Sequence, residues 1–192
     1  YAEYKFNYNR PDHFVETKLR NEFITQPSNG DAMARLMLEA KYKFRYMRNK
    51  QKRWIEIRGF VGQQYINDYN NNSGQYRMYL AGASGMQDLF VDEYFFGRNE
   101  TSGLLSRQRI ENMGGFKSTS NFGSSDDMIL TGNLYLQLPL KTGLIGAFAD
   151  VGTFRQNNAL SDAVLNTGLA IRLGDIFGVY FPLWMSEDLA LS

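Results

Sequence analysis

A chain of 192 residues that is 43% hydrophobic, 15% aromatic and 21% charged carries too much apolar side chain for a disordered or low-complexity tail, so it folds. Its 21 Lys and Arg against 20 Asp and Glu leave a formal charge of +1, which gives no basic footprint, and no nucleic-acid partner is expected. No run of about 18 apolar residues is present, which excludes a spanning helix. A mean hydropathy of −0.41 does not exclude spanning strands, because lumen-facing polar residues dilute lipid-facing apolar ones.

The chain opens at Tyr1 without an initiator Met, a basic n-region or an apolar h-region, and a processed or partial chain is expected. It has no cysteine, which fits export without disulfide chemistry and carries little weight.

In chain order, Tyr4, Phe6 and Tyr8 alternate with Glu3, Lys5 and Asn7, and Val15, Thr17, Leu19 and Phe23 alternate with Glu16, Lys18, Arg20 and Glu22. The clearest segment follows: Leu36, Leu38, Ala40, Tyr42, Phe44 and Tyr46 hold one parity, Arg35, Glu39, Lys41, Lys43 and Arg45 the other. This is period two, and the run exceeds the roughly 9 to 11 residues with which a tilted strand crosses a bilayer. Later, Leu130, Leu134, Leu136 and Leu138 oppose Thr131, Asn133, Tyr135 and Gln137. Leu165, Thr167, Leu169, Ile171 and Leu173 oppose Asn166, Gly168, Ala170, Arg172 and Gly174.

Such runs predict about ten strands, at 2–9, 14–25, 34–47, 53–65, 75–83, 88–96, 127–138, 143–154, 164–173 and 176–186, and no helix. Their links alternate between short (10–13, 49–52, 85–88, 139–142, 174–175) and long polar (26–33, 66–74, 97–126, 155–162). Bacterial barrels alternate in this way between periplasmic turns and extracellular loops. A soluble sandwich or small barrel would also alternate, but it requires an apolar interior. Here one parity is heavily charged with both signs, and aromatic residues crowd the apolar parity near strand ends. The expected fold is an all-β, transmembrane antiparallel β-barrel, with 1–192 a single outer-membrane segment carrying a long loop at 97–126.

Phe148-Ala149-Asp150-Val151-Gly152 resembles the Phe-x-Asp-x-Gly strand motif of the BamA and two-partner-secretion transporter superfamily. Met113-Gly114-Gly115-Phe116-Lys117, in the longest loop, resembles that family's loop motif, usually Val-Arg-Gly-Phe or Val-Arg-Gly-Tyr, which folds back into the lumen. The resemblance implies that the ten strands correspond to the sixth through fifteenth of a sixteen-stranded barrel whose closing strand is missing. It also implies a bacterial outer-membrane location and a role in assembling or translocating polypeptides, with protein clients or accessory outer-membrane and periplasmic proteins as partners besides the lipid bilayer. The chain departs from the family at Gly114, which stands where the loop Arg is usual, so Lys117 or Arg109 is left to contact the strand Asp. A wider pattern, Ala83-Ser84-Gly85, Asp88, Phe96-Gly97-Arg98 and Gly114-Gly115-Phe116, is similar to Bacteroidota barrels fused to zinc aminopeptidase-like domains. It supplies the alternative reading, an anchor for an attached or associated surface metallopeptidase.

The candidate site is a loop latch. Phe148, Asp150 and Gly152 fall on the lumen parity, with Ala147, Ala149 and Val151 facing lipid. A carboxylate there needs a partner, and the expectation is that the Lys117 cation pairs with Asp150 while Phe116 fills the space above Gly152. Gly114 and Gly115 give the turn. Pro182 lacks a ladder donor and predicts a bulge or, preferably, an unpaired edge. His13 is the only histidine and cannot alone make a zinc site, and the Asn-rich tract 67–74 reads as a solvated turn. No His-Glu-x-x-His, Gly-x-Ser-x-Gly or phosphate-binding Gly motif occurs, so no catalytic residue, metal or cofactor is expected in this segment.

Overall fold

The computed structural model describes residues 1–25, 31–47, 53–68, 76–85, 88, 90–91, 93–118, 123–156, 158–174 and 177–190. The predicted turn at 49–52, most of the Asn-rich tract and Asp175 lie outside these residues. Eight long strands build one antiparallel sheet. They are β1 (Ala2–Arg10), β2 (His13–Thr25), β3 (Ala32–Met47), β4 (Arg53–Asn67), β7 (Met128–Gln137), β8 (Ile145–Gln156), β10 (Val164–Leu173) and β11 (Phe177–Met185), adjacent in that order. Three short strands complete the set: β5 (Met78–Tyr79) pairs with β6 (Ser124–Ser125) apart from the sheet, and β9 (Ala159–Leu160) folds back on β8. A single helical turn, Glu187–Ala190, follows β11.

The fold is therefore all-β around one large antiparallel sheet, as the alternation predicts, but the strand count needs correction. Among the described residues, the predicted strands at 75–83 and 88–96 do not join the large sheet: β4 pairs directly with β7, from Ile55↔Leu136 to Gln63↔Met128. The intervening segment lies against the sheet instead. Met78, Tyr79, Leu80 and Ala81 are all buried, both parities alike, which a two-sided strand with one solvated face cannot be. The long loop accordingly covers 68–127 rather than 97–126.

The two faces of the sheet are chemically opposite. One presents Leu19, Leu38, Val61, Leu130, Leu134, Val151, Leu165 and Leu169, with Leu38 41% and Leu169 40% exposed. Aromatic residues gather near the strand ends of this face, Tyr8, Tyr46 and Phe177 beside the short turns and Phe23, Tyr65 and Trp184 at the opposite ends. The other face carries Glu22, Arg35, Glu56, Arg58, Asn133, Asp150 and Asn166, all buried. Arg172 on β10 reaches Glu56 on β4 at 3.5 Å with β7 and β8 between them. Three spacings of about 4.8 Å separate those strands in a flat sheet, so the sheet curls around its ionic face.

The strands are also staggered. Tyr42, Ile57, Leu134, Ala149, Thr167 and Trp184 lie on one register row. From that row β3 runs on to Ala32, whereas β11 ends at Met185. At the opposite ends the imbalance reverses, with β3 stopping at Met47 and β11 reaching back to Phe177. The register shifts between Thr167 and Gly168 opposite Pro182, and β11 is an edge of the sheet, so the proline meets both expectations made of it. The other edge is β1. Among the described residues, β1 and β11 do not pair with each other.

Candidate functional site

The register of the sheet assembles what no single strand contains. Glu16, Lys41, Arg58, Asn133, Asp150 and Asn166 are successive cross-strand partners on β2, β3, β4, β7, β8 and β10. Cross-strand partners share a face, so these six side chains form one polar row across the concave side. The row above it runs Lys18, Glu39, Phe60, Thr131, Gly152 and Val164.

The loop segment 111–117 lies along these rows and is held by its backbone. Arg58, 2% exposed, donates from Nη2 to the Met113 carbonyl at 2.7 Å and from Nη1 to Asn133 Oδ1 at 2.9 Å, and also pairs with Glu39. The Gly114 carbonyl accepts from Thr131 Oγ1 at 2.9 Å and Asn133 Nδ2 at 3.2 Å. Asp150 accepts the Lys117 backbone N–H at 2.9 Å and Asn133 Nδ2 at 2.9 Å, with Asn166 Nδ2 at 3.4 Å. The Met113 and Gly114 carbonyls and the Lys117 N–H thus find polar side-chain partners on the sheet, which is what burial of backbone requires.

The glycines are spacing devices. Gly115 holds φ +65°, and a Cβ there would stand 2.6 Å from Arg58 Nη1. A Cβ at Gly114 would stand 2.4 Å from the Leu80 carbonyl oxygen. At Gly152 a Cβ would meet Thr131 Cγ2 at 2.9 Å and both Leu80 Cδ2 and Phe116 Cε1 at 3.0 Å. Phe116 is buried in the apolar cluster that joins loop and sheet, with Met78, Leu80, Met113, Phe60 and Ile129.

The predicted latch residues are brought together, with one correction. Phe116 does fill the space over Gly152 and Asp150 meets the loop backbone, while the Phe148 ring packs edge-on against Tyr180 of β11. The Lys117 cation, however, does not pair with Asp150. Its Nζ donates to Glu111 and to the Gly115 carbonyl, while its backbone N–H serves Asp150. Nor does Arg109 take that place, since its guanidinium caps the carbonyls of Ser106 and Gln108. The basic group that matters comes from the sheet: Arg58 occupies the space that Gly115 leaves open.

Glu111 extends the clamp to β3, with Lys41 Nζ at 3.9 Å. Burial opposes ionisation of Glu111, but the ammonium groups of Lys117 and Lys41 outweigh it and hold its carboxyl at about 2. Arg58, Asn133, Thr131, Glu39, Lys41 and Glu111 were missed by sequence reasoning. Charge on the inward parity was visible, but which strand lies beside which was not. His13, at the start of β2, bonds through Nδ1 to Tyr42 Oη at 2.9 Å. Among the described residues, no group of three or more His, Cys, Asp and Glu could hold a metal, and no helix is long and apolar enough to cross a membrane.

No family model matches the chain, and no curated protein or solved structure matches it.

Proposed function

We propose that this chain forms part of the wall of a bacterial outer-membrane β-barrel whose long loop is clamped inside the lumen, and that the barrel is of the protein assembly or translocation type. One observation carries the membrane reading: the exposed face of the sheet is aliphatic with aromatic ends, and the covered face is ionic. Water-soluble sheets have the reverse order, whereas a strand between lipid and a wet lumen requires this one. The stagger supports closure, because strands that close into a barrel tilt and shear. An eight-stranded barrel leaves an interior just wide enough for side chains. A lumen that also holds the clamped loop therefore calls for further strands beyond β1 and β11.

The assembly-type reading rests on the sequence resemblance, and the seating of Phe116 over Gly152 and of the Lys117 N–H on Asp150 supports it, since that is where the resemblance puts the loop. The alternative, an anchor for a surface metallopeptidase, draws support from the density of the clamp, which ties the loop to β4, β7 and β8 at several points.

Depletion of the full-length protein separates the two readings. Loss of folded outer-membrane β-barrels, with accumulation of their unfolded precursors in the periplasm, is the expected result. Normal barrel assembly together with release of a peptidase from the cell surface would favour the anchor. The membrane reading has its own check in single cysteines placed in a chain that has none. A Cys at Leu38 or Leu169 should resist a water-soluble maleimide in outer-membrane vesicles and react after solubilisation.

A further inference from the structure

The two ends of the sheet carry opposite charge. At the end with the short links, the described residues 10–13, 45–47, 53–54, 138–144 and 173–174 hold Arg10, Arg45, Arg53 and Lys141 against Asp12. In sequence, the link joining β3 to β4 adds Arg48, Lys50 and Lys52, and the one joining β10 to β11 adds Asp175. At the other strand ends the sign reverses: the described residues of 31–32, 67–68, 124–128, 155–163 and 186–190 hold seven Asp and Glu against Arg155. Both ends belong to the same strands, so the fold does not require this asymmetry.

Two of the short-link cations are turned back onto the protein. Arg45 pairs with Asp12 at 2.8 Å, and Arg53 donates to the Leu140 carbonyl. Arg10 and Lys141 are exposed. The Arg10 guanidinium lies 5.4 Å from the centre of the Tyr8 ring, and Tyr8 shares the aliphatic face with Val15 and Tyr42 on one register row. Nearer the links on that face, Tyr46 donates its hydroxyl to the Gln137 carbonyl at 2.7 Å. Lys141 stands in the turn after β7 with Leu140 and Leu144, both exposed.

Along the outer face the order is therefore aliphatic side chains, then aromatic rings, then cations. A bilayer changes in the same order, from acyl chains through the interface to the headgroup phosphates. An acidic protein surface would match the cations, but it would not call for the apolar and aromatic layers beneath them. We infer that the short-link rim binds the headgroups of anionic phospholipids, with Arg10 and Lys141 as contacting cations. The inference rests on the barrel reading above. Bacterial barrels keep their short turns on the periplasmic side, so the lipids concerned are those of the periplasmic leaflet.

The test uses the full-length protein reconstituted in phosphatidylcholine bilayers, with spin-labelled phosphatidylglycerol or phosphatidylcholine as the probe. The spectra give the fraction of each lipid that the protein holds motionally restricted. Phosphatidylglycerol should be favoured by about threefold at 0.1 M NaCl, and the preference should shrink toward equality at 1 M. Arg10→Gln combined with Lys141→Gln should remove most of it, whereas Asp162→Asn at the opposite end should leave it in place. Equal restriction of the two lipids by the wild type would overturn the inference. So would a preference that the double substitution leaves intact, or one that inorganic phosphate erases at matched ionic strength. Binding of a polyglutamate peptide through Arg10 and Lys141, without any lipid preference, would assign the rim to an acidic protein and overturn it equally. Absence of a restricted component for either lipid would overturn the barrel reading itself.

Discussion

Strands β1 and β4 carry the same code and live in different surroundings. Both alternate apolar with polar side chains and both put charge on the concave face. On β4 that charge is sealed: Glu56 is buried among Lys41, Lys43 and Arg172, and Arg58, buried beneath the loop, serves four partners. On β1, Lys5 and Glu3 pair at 2.9 Å in reach of water. The contrast shows that the strand pattern decides which way a side chain points, while the loop decides what being inside costs. An ion pair exposed to water contributes little, whereas removing one partner of a buried pair leaves an uncompensated charge and is costly.

Four outcomes test that contrast, beginning with the largest. Arg58→Ala strips partners from the Met113 carbonyl, Glu39 and Asn133 at once and should weaken loop docking by about 3–5 kcal/mol. The reading is proteinase K cleavage within 94–107 in intact vesicles, and unchanged protection would break the clamp idea. Gly152→Val forces a side chain against Thr131, Leu80 and Phe116 and should cost about 1–3 kcal/mol, seen as a lower midpoint temperature for loss of the same protection.

Acid should have a smaller, graded effect through Glu111. Its folded-state carboxyl is depressed from 4.5 to about 2, so its contribution is full above pH 4.5 and is lost as pH falls through about 2. Glu111→Gln should lower protection at neutral pH and flatten that part of the pH profile. A profile unchanged by the substitution would remove Glu111 from the clamp. Smallest of all, Lys5→Ala on β1 should change protection by about 0.5 kcal/mol or less. A loss comparable to that of Arg58→Ala would mean the two ends of the sheet are not so different.

Much of the sheet was legible in the residues. The eight long strands fall where alternation places them, because a period of two needs only a chain with two unlike sides. The segment at 75–96 misled for the same reason: short runs such as Met78 to Ala81 resemble a strand, but are buried on both parities in the loop–sheet cluster. Phe116 over Gly152 was legible because the resemblance folds the loop back onto this strand and a glycine there leaves room for a ring. The partner of Asp150 was not, since a backbone N–H has no letter in the sequence.

By itself, then, the order of residues determined the strands, their two unlike faces, and a loop rich in glycine at the point of closest approach. Only tertiary structure decided that β4 lies against β7, because pairing is a contest among edges separated by many residues of chain. That single adjacency aligned Lys41, Arg58, Asn133 and Asp150 into one row. The row, not any residue in it, is what grips the loop.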